Sequence, residues 1–133
     1  RAIFACKEAG AKRAMPLPVS VPSHCALMKP AADQLAETLN ATSFHAAEMP
    51  VINNVDVAME TAPEQIREAL IRQLYSPVRW VETIQALKEQ GVSHVYECGP
   101  GKVLSGLIKR IDREITAHPL ETGDAFEASL KGE

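Results

Sequence analysis

The stretch from Ser93 to Ile111 constrains the fold of this 133-residue chain more than any other. Ser93 to Cys98 reads as a strand, Gly99-Pro100-Gly101 as a tight turn, and Val103 to Ile111 as a helix. A strand feeding directly into a helix is the repeating unit of α/β folds with a largely parallel sheet. About three strands are expected in all, few for parallel strands that need cover on both faces. The sheet is therefore expected to continue in sequence outside this chain.

The remaining elements fit that layering. Arg1 to Gly10 reads as the end of a helix, with Gly10 as the residue just past its C-terminus. Met15, Leu17, Val19 and Val21 alternate as in a half-buried strand, and Pro16 and Pro18 place it at an edge or bend. From Ala26 to Leu39 the apolar residues follow a helical stripe, with Pro30 in its first turn. Val51 to Val55 reads as a short buried strand. Thr61, Pro63 and Glu64 suggest a capping box opening a helix with Ile66, Ala69, Leu70 and Leu74 on one face. Ser76-Pro77 breaks it. A second helix then runs to about Gln90, with Trp80, Val81, Ile84 and Leu87 inward and Gly91 ending it. Beyond Thr116 a polar, acidic tail is expected, with a short helix from Asp124 to Leu130.

Composition excludes several function classes. Hydrophobic residues at 46% and charged residues at 23% indicate a globular chain rather than a disordered one. The net charge of -3 gives no general attraction to nucleic acid. No apolar run approaches the roughly 20 residues of a membrane helix. Cys6, Cys25 and Cys98 form no CxxC pair and cannot all be bridged, which suggests reduced thiols in the cytoplasm. His24, Cys25, His45, His94, Cys98 and His118 show no metal-ligand spacing, so neither metal nor cofactor is expected. Gly99 to Lys102 fails as a phosphate loop, because Tyr96 and Val103 stand where that motif needs Gly and Ser or Thr.

Two features remain as candidates for function. Pro22-Ser23-His24 delivers a histidine to the start of a helix, where a neutral imidazole can accept and return a proton near neutral pH. Local charge is the other. Arg1 to Arg13 and Lys102 to Arg113 each hold four basic residues and one acidic. Such clusters are usually solvated faces; the sharper reading is a docking surface for an acidic partner.

Four blocks of this sequence closely resemble the bacterial malonyl-CoA:acyl carrier protein transacylase family, in its stand-alone form from fatty acid synthesis. They run from Ala11 to Met28, Val51 to Val57, Arg72 to Trp80 and Tyr96 to Leu104. The resemblance implies an acyltransferase that moves malonyl from coenzyme A, through a serine ester, to the phosphopantetheine thiol of acyl carrier protein. It implies His24 as the general base and the main-chain carbonyl of Gln73 as the group orienting it. Lys102, Lys109 and Arg110 become candidates for docking the acidic carrier protein. No Gly-x-Ser-x-Gly elbow occurs here, so the nucleophile is expected in an N-terminal part outside this chain. By the same resemblance, residues 1–21 end a small ferredoxin-like subdomain. Residues 22–133 form the closing part of an α/β-hydrolase-like core. The chain alone is then expected to be inactive and to expose apolar surface. A self-contained α/β binding module that docks an acidic protein is the alternative.

Overall fold

Parallel pairing of two short strands through an intervening helix organises the C-terminal half. In the computed structural model, which describes residues 1–16 and 18–131, β1 (His94–Cys98) and β2 (Thr116–Leu120) pair in parallel. Their register sets Val95 beside Ala117 and Tyr96 beside His118. Helix α5 (Val103–Ile111) makes the crossover. Gly99 and Gly101 sit at φ +127° and +91°, which lets the chain turn from β1 into α5. Ahead of this unit come α1 (Ala2–Glu8), α2 (Lys29–Ala41), α3 (Pro63–Gln73) and α4 (Trp80–Glu89); α6 (Gly123–Lys131) follows it.

The core lies where α4 and α5 cover one face of the strand pair. Ile84, Ile108 and Ile115 are buried together, with Trp80, Leu87, Val95, Ile111 and Ala117 packed around them. On the opposite face Tyr96 and His94 both stack on His118, with the two imidazoles joined by a 3.0 Å hydrogen bond. A second, smaller contact joins α2 to α3. It buries Ala32 and Ala69, and Arg67 Nε donates to the carbonyl of Leu39. Elsewhere large apolar side chains face solvent, among them Leu27 and Met49 at 74% and 75% exposure. The accessible surface is 9965 Å², against roughly 6,800 Å² for a compact monomer of this length. Among the described residues no helix is long and apolar enough to cross a membrane.

Several sequence expectations need correction. No strand forms among the described residues of 13–21, and Leu17 lies outside them. Pro16, Pro18 and Pro22 cannot donate to a ladder, and among the described residues no neighbouring strand receives the segment. The expected strand at Val51 to Val55 reduces to one antiparallel bridge, Ile52 with Met59, because the Asn53 side chain folds the chain into a turn. Helix α3 is capped from Ala62, with no side-chain cap bond from Thr61. Val81 points outward at 52% exposure, and Thr83 takes the buried position, its hydroxyl donating to the Arg79 carbonyl. β2 stands where a tail was expected.

The N-terminus of α5 is filled from within. The half-buried Glu97 carboxylate accepts the main-chain N–H groups of Leu104 and Ser105 at 2.9 and 2.7 Å and the Ser105 hydroxyl at 2.7 Å. The Ser105 hydroxyl first, then these N–H groups, hold Glu97 below the usual carboxylate range. A carboxylate depressed in the folded state stabilises fully above its unfolded pKa, about 4.3, and loses that contribution as pH falls through the folded value. Glu97→Gln is therefore expected to lower the melting temperature at pH 7, with the gap to wild type closing below about pH 4. Melts across that range check it, and a gap unchanged in acid would refute the cap.

Candidate active site

His24 is gripped twice by the C-terminal end of α3. Its main-chain N–H donates to the carbonyl of Leu74 at 3.1 Å, and its ring Nδ1 lies 2.9 Å from the carbonyl oxygen of Gln73. A carbonyl only accepts, so Nδ1 carries the proton. That leaves the Nε2 lone pair unprotonated, on a side chain exposed to solvent. The backbone at His24 has φ +60°, a left-handed conformation that costs a non-glycine residue about 1 kcal/mol or more. The main-chain bond to Leu74 and the ring bond to Gln73 oppose that cost. A tight turn precedes it, with Ser23 N–H on the Val21 carbonyl at 2.8 Å. Cys25 turns its thiol away, onto the carbonyl of Pro22 at 3.2 Å, and makes no dyad with His24.

The end of α3 is itself anchored on two sides. Toward α2, the Lys29 ammonium sits 4.6 Å over the Tyr75 ring and pairs with Asp33 at 3.0 Å. Toward the turn at 53–58, the Arg72 guanidinium pairs with the Asp56 carboxylate, and that bond raises the arginine above its ordinary pKa. Asn53 shapes the turn, accepting N–H groups from Val55 and Asp56 and donating to the Ala58 carbonyl at 3.0 Å. Arg79 N–H donates to the Asn54 carbonyl at 2.9 Å, fastening the same turn to the start of α4. A cavity of about 370 Å³ lies between Val51–Asn54 and the Ile66, Leu70 and Gln73 face of α3.

The docking candidates occupy a different surface. Lys102 and Lys109 line a groove of about 560 Å³ between α5 and β2, together with Arg113, Ser105 and Thr116. Arg110, also on α5, is exposed but does not line it. Sequence reasoning placed Arg113 in the basic cluster without naming it as a site residue; its spacing of four from Lys109 was the available signal. Among the described residues no salt bridge occupies Lys102, Lys109 or Arg113. No group of three or more His, Cys, Asp or Glu there is arranged to hold a metal ion.

Helices on a parallel strand pair, with an oriented imidazole open to solvent, define an α/β protein with a candidate proton-transfer site. The chain is 59% identical over 131 residues to the malonyl CoA-acyl carrier protein transacylase of Escherichia coli K12, covering 98% of this chain and 42% of that protein. It is similar along nearly its whole length to malonyl CoA-acyl carrier protein transacylases, and spans about two fifths of the length of the curated relatives it matches. The Bacillus subtilis transacylase is 47% identical, over 94% of the chain and 39% of its own length. Among solved structures, a type II PKS acyl-carrier protein in complex with its malonyl-transacylase matches with a TM-score of 0.93 and 54% identity, covering 99% of this chain and 43% of that one. An acyl carrier protein S-malonyltransferase from Vibrio cholerae matches with a TM-score of 0.88 and 58% identity, covering 96% and 42%. No protein-family model matches the chain.

Proposed function

We propose that this chain supplies the base side of a malonyl-transfer site whose nucleophile lies in another part of the parent enzyme. The observation that carries the reading is the Nδ1 contact of His24 with the Gln73 carbonyl, which leaves Nε2 free to take a proton. In the first half-reaction Nε2 accepts the proton of a serine hydroxyl as that oxygen attacks the malonyl thioester. The C–S bond breaks, and the imidazolium returns the proton to the departing coenzyme A sulfur. In the second, Nε2 takes the proton of the phosphopantetheine thiol, the sulfur attacks the serine ester, and the proton goes back to the serine oxygen. The Gln73 carbonyl stabilises the imidazolium in both by holding the Nδ1 proton. All bonds balance without a metal or redox cofactor.

The surface supports a larger whole. An excess of roughly 3,000 Å² over a compact monomer is of the size that obligate interfaces bury. That excess favours a part of a larger core over the self-contained binding module. On this reading residues 1–21 belong to the small ferredoxin-like subdomain and residues 22–133 to the large α/β-hydrolase-like one, and the enzyme works in the cytoplasm.

The test is the intact mass of holo acyl carrier protein after incubation with malonyl-CoA. This chain is offered alone, and then in place of the matching segment of the E. coli relative. A malonyl adduct is expected only from the chimera. An adduct from the chain alone, or none from a folded chimera, would overturn the reading.

Docking of the acidic carrier protein is assigned to Lys102, Lys109 and Arg110, supported by the groove that the two lysines share with Arg113. Reversing the charge of Lys102 and Lys109 together is expected to raise KM for carrier protein about tenfold or more at low salt, leaving KM for malonyl-CoA unchanged. A parallel rise in both constants would place the groove at the malonyl-CoA site instead.

A further inference from the structure

The carbonyl that orients His24 is free because of one residue in the sequence. In a continuing α-helix the Gln73 oxygen would accept the N–H four positions on. That position is Pro77, which has no N–H. The proline also disfavours helical geometry at Ser76, and the chain leaves α3 for an irregular stretch over 77–79. Leu74, the next residue, still has helical angles of φ -63° and ψ -37°. The last turn then tightens, with the Tyr75 N–H on the Arg72 carbonyl three residues back at 3.3 Å, and at the fourth position from Gln73 the proline leaves no donor. Two of the carbonyls released at this end go to His24, the Gln73 oxygen to its ring and the Leu74 oxygen to its main-chain N–H, while the Arg72 oxygen takes the Tyr75 N–H. Two orphan acceptors of a helix terminus are here satisfied by one residue about 50 positions away in sequence.

We propose that Pro77 is a positioning residue for His24: by withholding an N–H from the Gln73 carbonyl, it reserves that oxygen for the imidazole and fixes the proton on Nδ1. Its catalytic consequence rests on the reading of His24 as the base; its structural consequence does not. An ordinary residue at position 77 would offer the Gln73 oxygen a donor within the same helix, held at short range by the chain. The imidazole, held by a side chain with two rotatable bonds from a strained backbone, would compete poorly with it.

The experiment uses the chimera of this chain with the E. coli relative and compares three forms at position 77. They are proline, Pro77→Ala, and lactic acid, which has alanine's side chain but an ester oxygen in place of N–H. Long-range ¹H–¹⁵N spectra of the His24 ring report which nitrogen carries the proton. Pro77→Ala is expected to shift the proton off Nδ1 and lower kcat about tenfold or more with KM unchanged. Lactic acid, with no N–H, is expected to restore both the tautomer and kcat. An unchanged ring spectrum in folded Pro77→Ala would overturn the proposal. So would a lactic acid form that behaves like alanine, since the proline ring rather than the missing N–H would then be responsible. If the tautomer shifts and is rescued while kcat never changes, the positioning stands and the assignment of His24 as base fails.

Discussion

Replacing His24 by alanine is expected to lower malonyl transfer to holo acyl carrier protein by about 10²–10⁴-fold in kcat, with little change in KM for malonyl-CoA. The range follows from what is removed. An exposed imidazole whose Nδ1 proton is tied to the Gln73 carbonyl offers a lone pair on Nε2 and nothing else to a reacting group. Such a base acts in the transition state and contributes little to ground-state binding, so the loss belongs in kcat. The measurement is steady-state transfer by the chimera with the E. coli relative, wild type against His24→Ala. His24→Gln sharpens it, because the amide can still donate to Gln73 yet cannot carry a proton from serine to sulfur. Equal losses in the two variants mark proton transfer as the function. Retention of activity by His24→Gln would assign His24 a packing role instead, and a loss confined to KM would remove it from the chemistry.

The same residue shows how far a sequence can be read. Local pattern sufficed where alternation, turn glycines and helical period all agreed, as from β1 through Gly99 and Gly101 into α5. It failed where a strand exists only through its neighbour. Thr116 to Leu120 holds His118 and Pro119, carries little intrinsic strand preference, and becomes β2 because β1 presents a free edge to it. The converse happened at residues 13–21, where the alternation is present but no strand among the described residues stands alongside. At the site, proximity in sequence said little. Resemblance pointed to His24 and Gln73, and Ser76-Pro77 was legible as a helix breaker. That the break and the imidazole serve one another emerges only when 49 residues of chain have been folded back. Ile115 was missed for a related reason, since it lies between elements and is buried by α4 and α5 rather than by any periodic face of its own.

That small core makes the second large effect. Ile84 is 1% exposed and is the largest fully buried side chain, at the centre of the cluster with Ile108 and Ile115. Its truncation removes apolar contacts and leaves a cavity bordered by α4, α5 and the strand pair. Large-to-small changes at such positions cost about 2–5 kcal/mol. Small domains have about 5–15 kcal/mol in total, and this chain buries few other apolar side chains with which to make up the difference. Ile84→Ala is therefore expected to lower the urea midpoint of the 133-residue chain by about 1 M or more, with the far-UV circular dichroism signal lost at correspondingly lower urea. Val103→Ala is the matched control. Val103 is 72% exposed on α5, and its truncation should stay within about 0.5 kcal/mol of wild type. If both variants unfold at the wild-type midpoint, the α4–α5–sheet cluster is not what holds the C-terminal half together. In that case the α2–α3 contact, which positions the carbonyl of Gln73, must carry the stability of the chain.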